Sequence, residues 1–296
     1  MLRVYDATSG RVAGIRPAHR GELRVLAVTP EAAGEPDAGR LRGWLVPDLI
    51  RRCAERRSLV PTVCEITAGA APPDHAAARM ALNLHPPARI APATEPVERT
   101  AGFVAHGRTG GPADAPPPFD IGTGAPGWLA AQAGWPGGPP LARHLAAPAG
   151  AVIPGGGQGP QGASGNAPPD LPAVAGRGLD PLALRLVLLG ARYRDDLTLT
   201  WDALAAADKT LRDWRGLVAE WAMSPSAPMS ARHADAVLAA FEDDLDTPAA
   251  LRELDALAAA PGVPPGAKFE TFAALDRLFG LDLARDIGTV SAPRDR

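Results

Sequence analysis

Lysine is nearly missing from this 296-residue chain: Lys209 and Lys268 are the only two. That excludes chemistry needing a lysine in the first two hundred residues. The Gly155-Gly156-Gly157 run therefore cannot belong to a Gly-x-x-x-x-Gly-Lys-Ser/Thr phosphate loop. Cysteine is scarce too. Cys53 and Cys64 supply neither a disulfide framework nor a metal-ligand spacing. Aromatic residues make up 5 %, so leucine and alanine must build the core. Neither charge sign dominates: the net charge is −3, without the basic face that tight nonspecific nucleic-acid binding needs. No run of 18 apolar residues and no secretory h-region occurs, which predicts a soluble, cytoplasmic protein without a membrane partner.

The residues that are present divide the chain into three parts. In residues 1–106, Leu2–Tyr5 and Leu23–Val28 are short apolar runs bounded by Gly and Pro, and read as strands. Leu41–Arg57 reads as a helix, with Leu45, Leu49, Ile50 and Cys53 on one face and arginines opposite. Val60–Thr67 reads as the next strand. Strand, helix, strand predicts a βαβ unit and a Rossmann-like parallel sheet, an α/β class. Across residues 107–178, 32 of 72 positions are Gly or Pro. Such a stretch loses much backbone entropy on ordering and buries little in return. Loops are expected there, with a short helix near Trp128–Ala133. Residues 179–296 read as a bundle of three or four helices. Asp180-Pro181 and Thr247-Pro248 are cap-then-proline starts. Leu204, Ala207, Leu211, Trp214, Val218 and Trp221 form an amphipathic stripe at three- and four-residue steps.

Several segments resemble one family in the right order. LDPLALRLVLLGARYRDDLTLTWDALAAADKTLRDWR from residue 179 and FEDDLDTPAALREL at 241–254 resemble the helical region of cysteinyl-tRNA synthetases. They equally resemble the related ligase that joins cysteine to glucosaminyl-inositol in mycothiol synthesis. ELRVLAVTP at 22–30 is similar to the strand with that family's Cys-Gly-x-Thr signature. GWLVPDLIRR at 43–52 resembles the helix after its first nucleotide motif. PTVCEIT at 61–67 resembles the strand that usually ends in Asn-Ile-Thr-Asp. LNLHPPARIAPATE at 82–95 and APGWLAAQA at 125–133 resemble further family blocks. The resemblance implies a class I synthetase-like α/β core followed by helices, here in a truncated and degenerate member.

The resemblance also says where chemistry should lie. The family's His-x-Gly-His motif, where imidazoles and helix N-terminal amides meet a triphosphate, falls on Asp37-Ala38-Gly39-Arg40. Only the glycine is kept. At about 4 Å and an effective dielectric near 20, an aspartate facing phosphate costs on the order of 4 kcal/mol. The positions equivalent to the motif are thus Asp37, Gly39 and Arg40, read as a capped helix start with solvated arginines. The Lys-Met-Ser-Lys-Ser motif, whose lysines neutralise phosphate charge, has no counterpart before Lys209. The zinc site of the family, two cysteines with a histidine and a glutamate, is replaced by Leu26, by Leu129 and Gln132, and by the glycine run. Zinc is therefore not expected, and ATP only if a rebuilt site exists. Thr29, Thr67 and Trp128 lie where the family's amino-acid pocket would be. The six histidines are scattered and read as surface or satisfied core residues. Glu242, Asp243, Asp244 and Asp246 read as a helix cap and solvated face. Arg185, Arg192 and Arg194 read as interdomain salt bridges before RNA contacts.

These residues lead to three expectations. The first is a pseudoenzyme that keeps the scaffold and binds a protein or a small molecule. The second is an ATP-dependent ligase activating cysteine or another amino acid, with Arg40, Arg42 and Arg108 in place of the missing cations. The third is a tRNA-binding module, whose affinity would fall steeply with salt.

Overall fold

The computed structural model describes residues 1–17, 20–29, 36–67, 75–92, 119–124, 142–146, 149–155 and 169–289. Strands β1 (Arg3–Asp6) and β2 (Arg11–Gly14) form an antiparallel ribbon of their own. Gly10, at φ +70°, takes the left-handed conformation that closes it. Next come β3 (Glu22–Thr29), α1 (Ala38–Arg56) and β4 (Val60–Thr67), the βαβ unit expected from the sequence, with β3 and β4 parallel. They are followed by α2 (Ala76–Ala81), β5 (Arg89–Pro92), β6 (Phe119–Gly124) and β7 (Ala142–Leu145). The order across the sheet is β5-β4-β3-β6-β7, and all pairs are parallel. The chain runs outward from β3 in one direction and then returns to its other side. The topological switch point of this Rossmann-like sheet therefore lies between β3 and β6.

Both faces of the central strands are apolar, as a doubly covered parallel sheet requires. Leu23, Val25, Ala27, Val63 and Ile121 join the main core with Leu41, Leu45, Leu49 and Ile50 of α1. Leu26, Val28, Cys64, Ile66 and Phe119 form a second cluster on the opposite face. Two of the five strands fall inside the Gly/Pro-rich segment, where loops were expected. In β6, Phe119, Ile121 and Thr123 are buried, Gly122 sits between the last two, and Gly124 ends the strand. At Gly124 a Cβ would stand 2.3 Å from the Val28 carbonyl oxygen, so the neighbouring strand requires the glycine. The low apolar content is thus partly the signature of close backbone approach. The helix expected near Trp128–Ala133 lies outside the described residues.

A short parallel pair, β8 (Val152–Pro154) with β9 (Leu197–Leu199), joins that segment to the helical part. The helices are α3 (Leu171–Gly176), α4 (Pro181–Leu189), α5 (Trp201–Trp221), α6 (Ala231–Glu242), α7 (Thr247–Ala259) and α8 (Pro265–Phe279). Five described helices follow Asp180, rather than three or four. The count was low because α6 and α7 are separated only by a tight turn, Asp243–Asp246, in which Asp244 and Leu245 both adopt positive φ. Asp180 caps α4 through the Leu182 N–H, as expected. The cap of α7 is Asp246, one residue before Thr247, whose hydroxyl bonds the Leu189 carbonyl instead. Every residue of the proposed α5 stripe is buried, and Phe272 of α8 packs edge-on against Trp214 and Trp221. Among the described residues, no helix is long and apolar enough to cross a membrane.

Candidate functional site

Period-two alternation along β4 puts Val63, Glu65 and Thr67 on the face covered by α1, and Cys64 and Ile66 on the other. Thr29 ends β3 directly beside Thr67 in the strand register. The sequence thus brings Thr29 and Thr67 together at the carboxyl ends of two parallel strands, the edge where α/β proteins bind ligands. Trp128 lies outside the described residues.

Two residues before Thr67, on the same face of β4, stands Glu65, a residue the sequence reading passed over. It is 3 % exposed. Its Oε1 accepts hydrogen bonds from Thr29 Oγ1 and Trp44 Nε1, both at 3.0 Å. Its Oε2 accepts from the Arg79 guanidinium, which also stacks 4.1 Å from the centre of the Trp44 ring. The His75 ring lies 5.1 Å from the same indole. α1 supplies Trp44, and the short α2 supplies Arg79 with His75 as its N-cap. Among the described residues, the buried Thr67 Oγ1 has no hydrogen-bond partner. A signal for Glu65 was present: a carboxylate in an apolar strand, at the position where the resembling family has the asparagine of Asn-Ile-Thr-Asp. Trp44 and Arg79 carried none, because an aromatic or arginine at helical spacing reads as core or surface.

The motif-equivalent residues occupy the first turn of α1. Asp37 is the N-cap and accepts from the Arg40 backbone N–H at 2.8 Å. A helix N-terminus offers its free amides and positive dipole end to an anion. Here a carboxylate of the chain already takes that role. Gly39 follows in the same turn, where a Cβ would stand 3.4 Å from Asp37 Oδ1. Arg40 is half-buried. Arg42 is not solvated, contrary to expectation. It is 1 % exposed, and donates to the carbonyls of Gly150 (3.0 Å), Asp195 (2.6 Å) and Arg192 (2.8 Å). Its charge is used to tie the loop before β8 to the turn before β9. Arg108 lies outside the described residues.

A second buried cluster joins the sheet to the helices. Asp48 Oδ2 accepts from Arg52 Nε and Arg185 Nη2, each at 2.8 Å. Asp48 Oδ1 accepts from the His85 N–H at 3.0 Å and lies 2.8 Å from His85 Nδ1. Burial alone would raise the Asp48 carboxyl. Arg185, His85 and Arg52 outweigh it and hold the group well below the usual carboxylate range. Arg185 also donates to the carbonyls of Phe279 (2.6 Å) and Leu82 (2.9 Å), and Arg52 to those of Arg277 (2.9 Å) and Asn83 (2.6 Å). Arg192 pairs with Asp246, and Arg194 with Asp244 at 2.9 Å. The expected interdomain salt bridge is formed by Arg185 with Asp48, whereas Arg192 and Arg194 pair with acids of the same helical part. The acidic run is less solvated than expected. Asp244 is 2 % exposed and accepts from the Tyr5 N–H (2.6 Å) and the Tyr193 hydroxyl (2.9 Å) as well as from Arg194. Among the described residues, no group of three or more His, Cys, Asp and Glu side chains could hold a metal ion.

A parallel sheet with a polar cluster at its strand ends, followed by helices, is a Rossmann-like α/β fold. The relatives are more particular. The L-cysteine:1D-myo-inositol 2-amino-2-deoxy-alpha-D-glucopyranoside ligase of Kribbella flavida is 39 % identical over 106 residues, 36 % of this chain and 25 % of that protein. The enzyme of the same name from Gordonia bronchialis is 40 % identical over 111 residues, 36 % of this chain and 26 % of that one. The cysteine–tRNA ligase of Treponema denticola is 31 % identical over 137 residues, 38 % of this chain and 28 % of that one. No protein-family model matches the chain. These matches identify it as homologous to the cysteine ligases over about a third of its length. The chain spans about a quarter of the length of the curated relatives it matches.

Proposed function

We propose that this chain is a catalytically degenerate, cysteine-ligase-like protein whose role is to bind a partner rather than to activate an amino acid. The observation that carries this reading is the Asp37 carboxylate on the first turn of α1, where the homologous scaffold would receive a phosphate. An anionic ligand there meets like charge, and the Arg40 amide is already taken. Three further features support it. No lysine precedes Lys209. Arg42 is spent on backbone carbonyls. Glu65 and Arg79 neutralise each other at the strand ends. A ligase with a rebuilt site would have to work without Arg42. A tRNA-binding role would draw on Arg192 and Arg194, whose charges are already matched by Asp246 and Asp244. The partner is a protein or a small molecule, no zinc or ATP is required, and the site of action is the cytoplasm.

The test is titration of the full chain with ATP and with cysteine by calorimetry, alongside ATP–pyrophosphate exchange with each of the common amino acids. No exchange above a heat-denatured control is expected. Saturable binding of ATP and an amino acid, with pyrophosphate release, would overturn the reading.

A further inference from the structure

The Glu65 carboxylate is held the way a binding protein holds a carboxylate ligand. One oxygen takes two neutral donors at 3.0 Å, a threonine hydroxyl and an indole N–H, and the other takes a guanidinium. The donors come from three separate elements, β3, α1 and α2. Their side chains are more than nine-tenths buried: Thr29 is 4 %, Trp44 3 % and Arg79 8 % exposed. Among the described residues, Glu65 is the sole hydrogen-bond acceptor that all three side chains use. Among the described residues, the buried Arg79 Nε–H has no acceptor. The Arg79 guanidinium also lies over the Trp44 ring, 4.1 Å from its centroid, a contact that does not involve Glu65.

We infer that Thr29, Trp44 and Arg79 form a carboxylate receptor occupied by the protein's own Glu65, a tethered stand-in for a ligand. With the Glu65 side chain removed, the receptor binds a small free carboxylate of formate or acetate size. A planar anion with two oxygens matches donors on two sides, whereas chloride or sulfate does not. The covalent tether keeps the receptor filled, because an intramolecular group competes at high effective concentration. This inference concerns recognition alone and stands whether or not the chain activates amino acids.

Glu65→Gly in the full chain provides the test. In chloride buffer its melting temperature falls, because Arg79 is left buried without a counter-ion. Added sodium formate restores it saturably, with half-saturation on the order of 10 mM. At 100 mM the folding equilibrium then shifts about tenfold. Chloride or sulfate at matched ionic strength leaves it unchanged. Formate has no such effect on the wild type or on Glu65→Gly/Arg79→Met. If Glu65→Gly does not fold in chloride, refolding yield in formate against chloride is the readout, with a formate-dependent gain expected. Equal response to formate and chloride in either measurement overturns the inference. So does a response that persists without Arg79.

Discussion

Asp48→Ala tests the junction between sheet and helices most directly. The substitution leaves two guanidinium groups, Arg52 at 6 % and Arg185 at 0 % exposure, without their shared carboxylate. The carbonyls of Phe279, Leu82, Asn83 and Arg277 remain as acceptors but carry no charge. Removing one partner of a buried ion cluster costs about 3–5 kcal/mol. At about 2–4 °C per kcal/mol, the melting temperature should fall by about 10 °C, measured by circular dichroism at neutral pH. Replacing Arg185 with Met in the same background should recover part of the loss, because an apolar side chain has no charge to strand. Acid titration supplies the sign. The folded carboxyl is depressed below its unfolded value near 3.9, so its stabilisation is present above that pH and lost as pH falls toward the folded value. The wild type should therefore destabilise steeply below about pH 4, and Asp48→Asn should flatten that limb. A loss under about 1 kcal/mol in Asp48→Ala, with an unchanged acid limb, would refute the assignment of this cluster as the junction.

Two further outcomes follow from the same geometry. Gly280→Ala should destabilise by about 2 kcal/mol or more in urea unfolding. The residue adopts φ +65°, and an added Cβ would sit 2.8 Å from Arg185 Nη2 and 2.9 Å from Arg52 Cζ. Cys53 and Cys64 should resist thiol reagents in the native state and react only on unfolding, because burial pushes their thiols up to about 12 and about 11. Prompt labelling of either at neutral pH would contradict that burial.

The elements set by local pattern were the legible ones. β4 was read to its residue limits, and the α5 stripe proved wholly buried, because period two and period 3.6 register the core directly. β6 was missed because glycine was read as a loop signal, whereas here it lets one strand approach another. The site was half legible. Thr29 and Thr67 were singled out by resemblance alone, and the structure sets them side by side because a parallel register aligns strand ends. Glu65 was not seen, because it acquires its meaning from Arg79 and Trp44, and nothing in the spacing of those residues announces a shared contact. Arg42 was misjudged for a related reason. An arginine can end up buried when folding supplies carbonyls from loops more than a hundred residues away.

Helix α1 is gripped at three stations: Arg42 in the loop carbonyls, Trp44 on the strand-end carboxylate, and Asp48 with Arg52 against α4 and α8. The contacts that position the strand-end carboxylate and those that anchor the helical part therefore lie on one element, on either side of Pro47. A substitution that displaces α1 touches both sets at once.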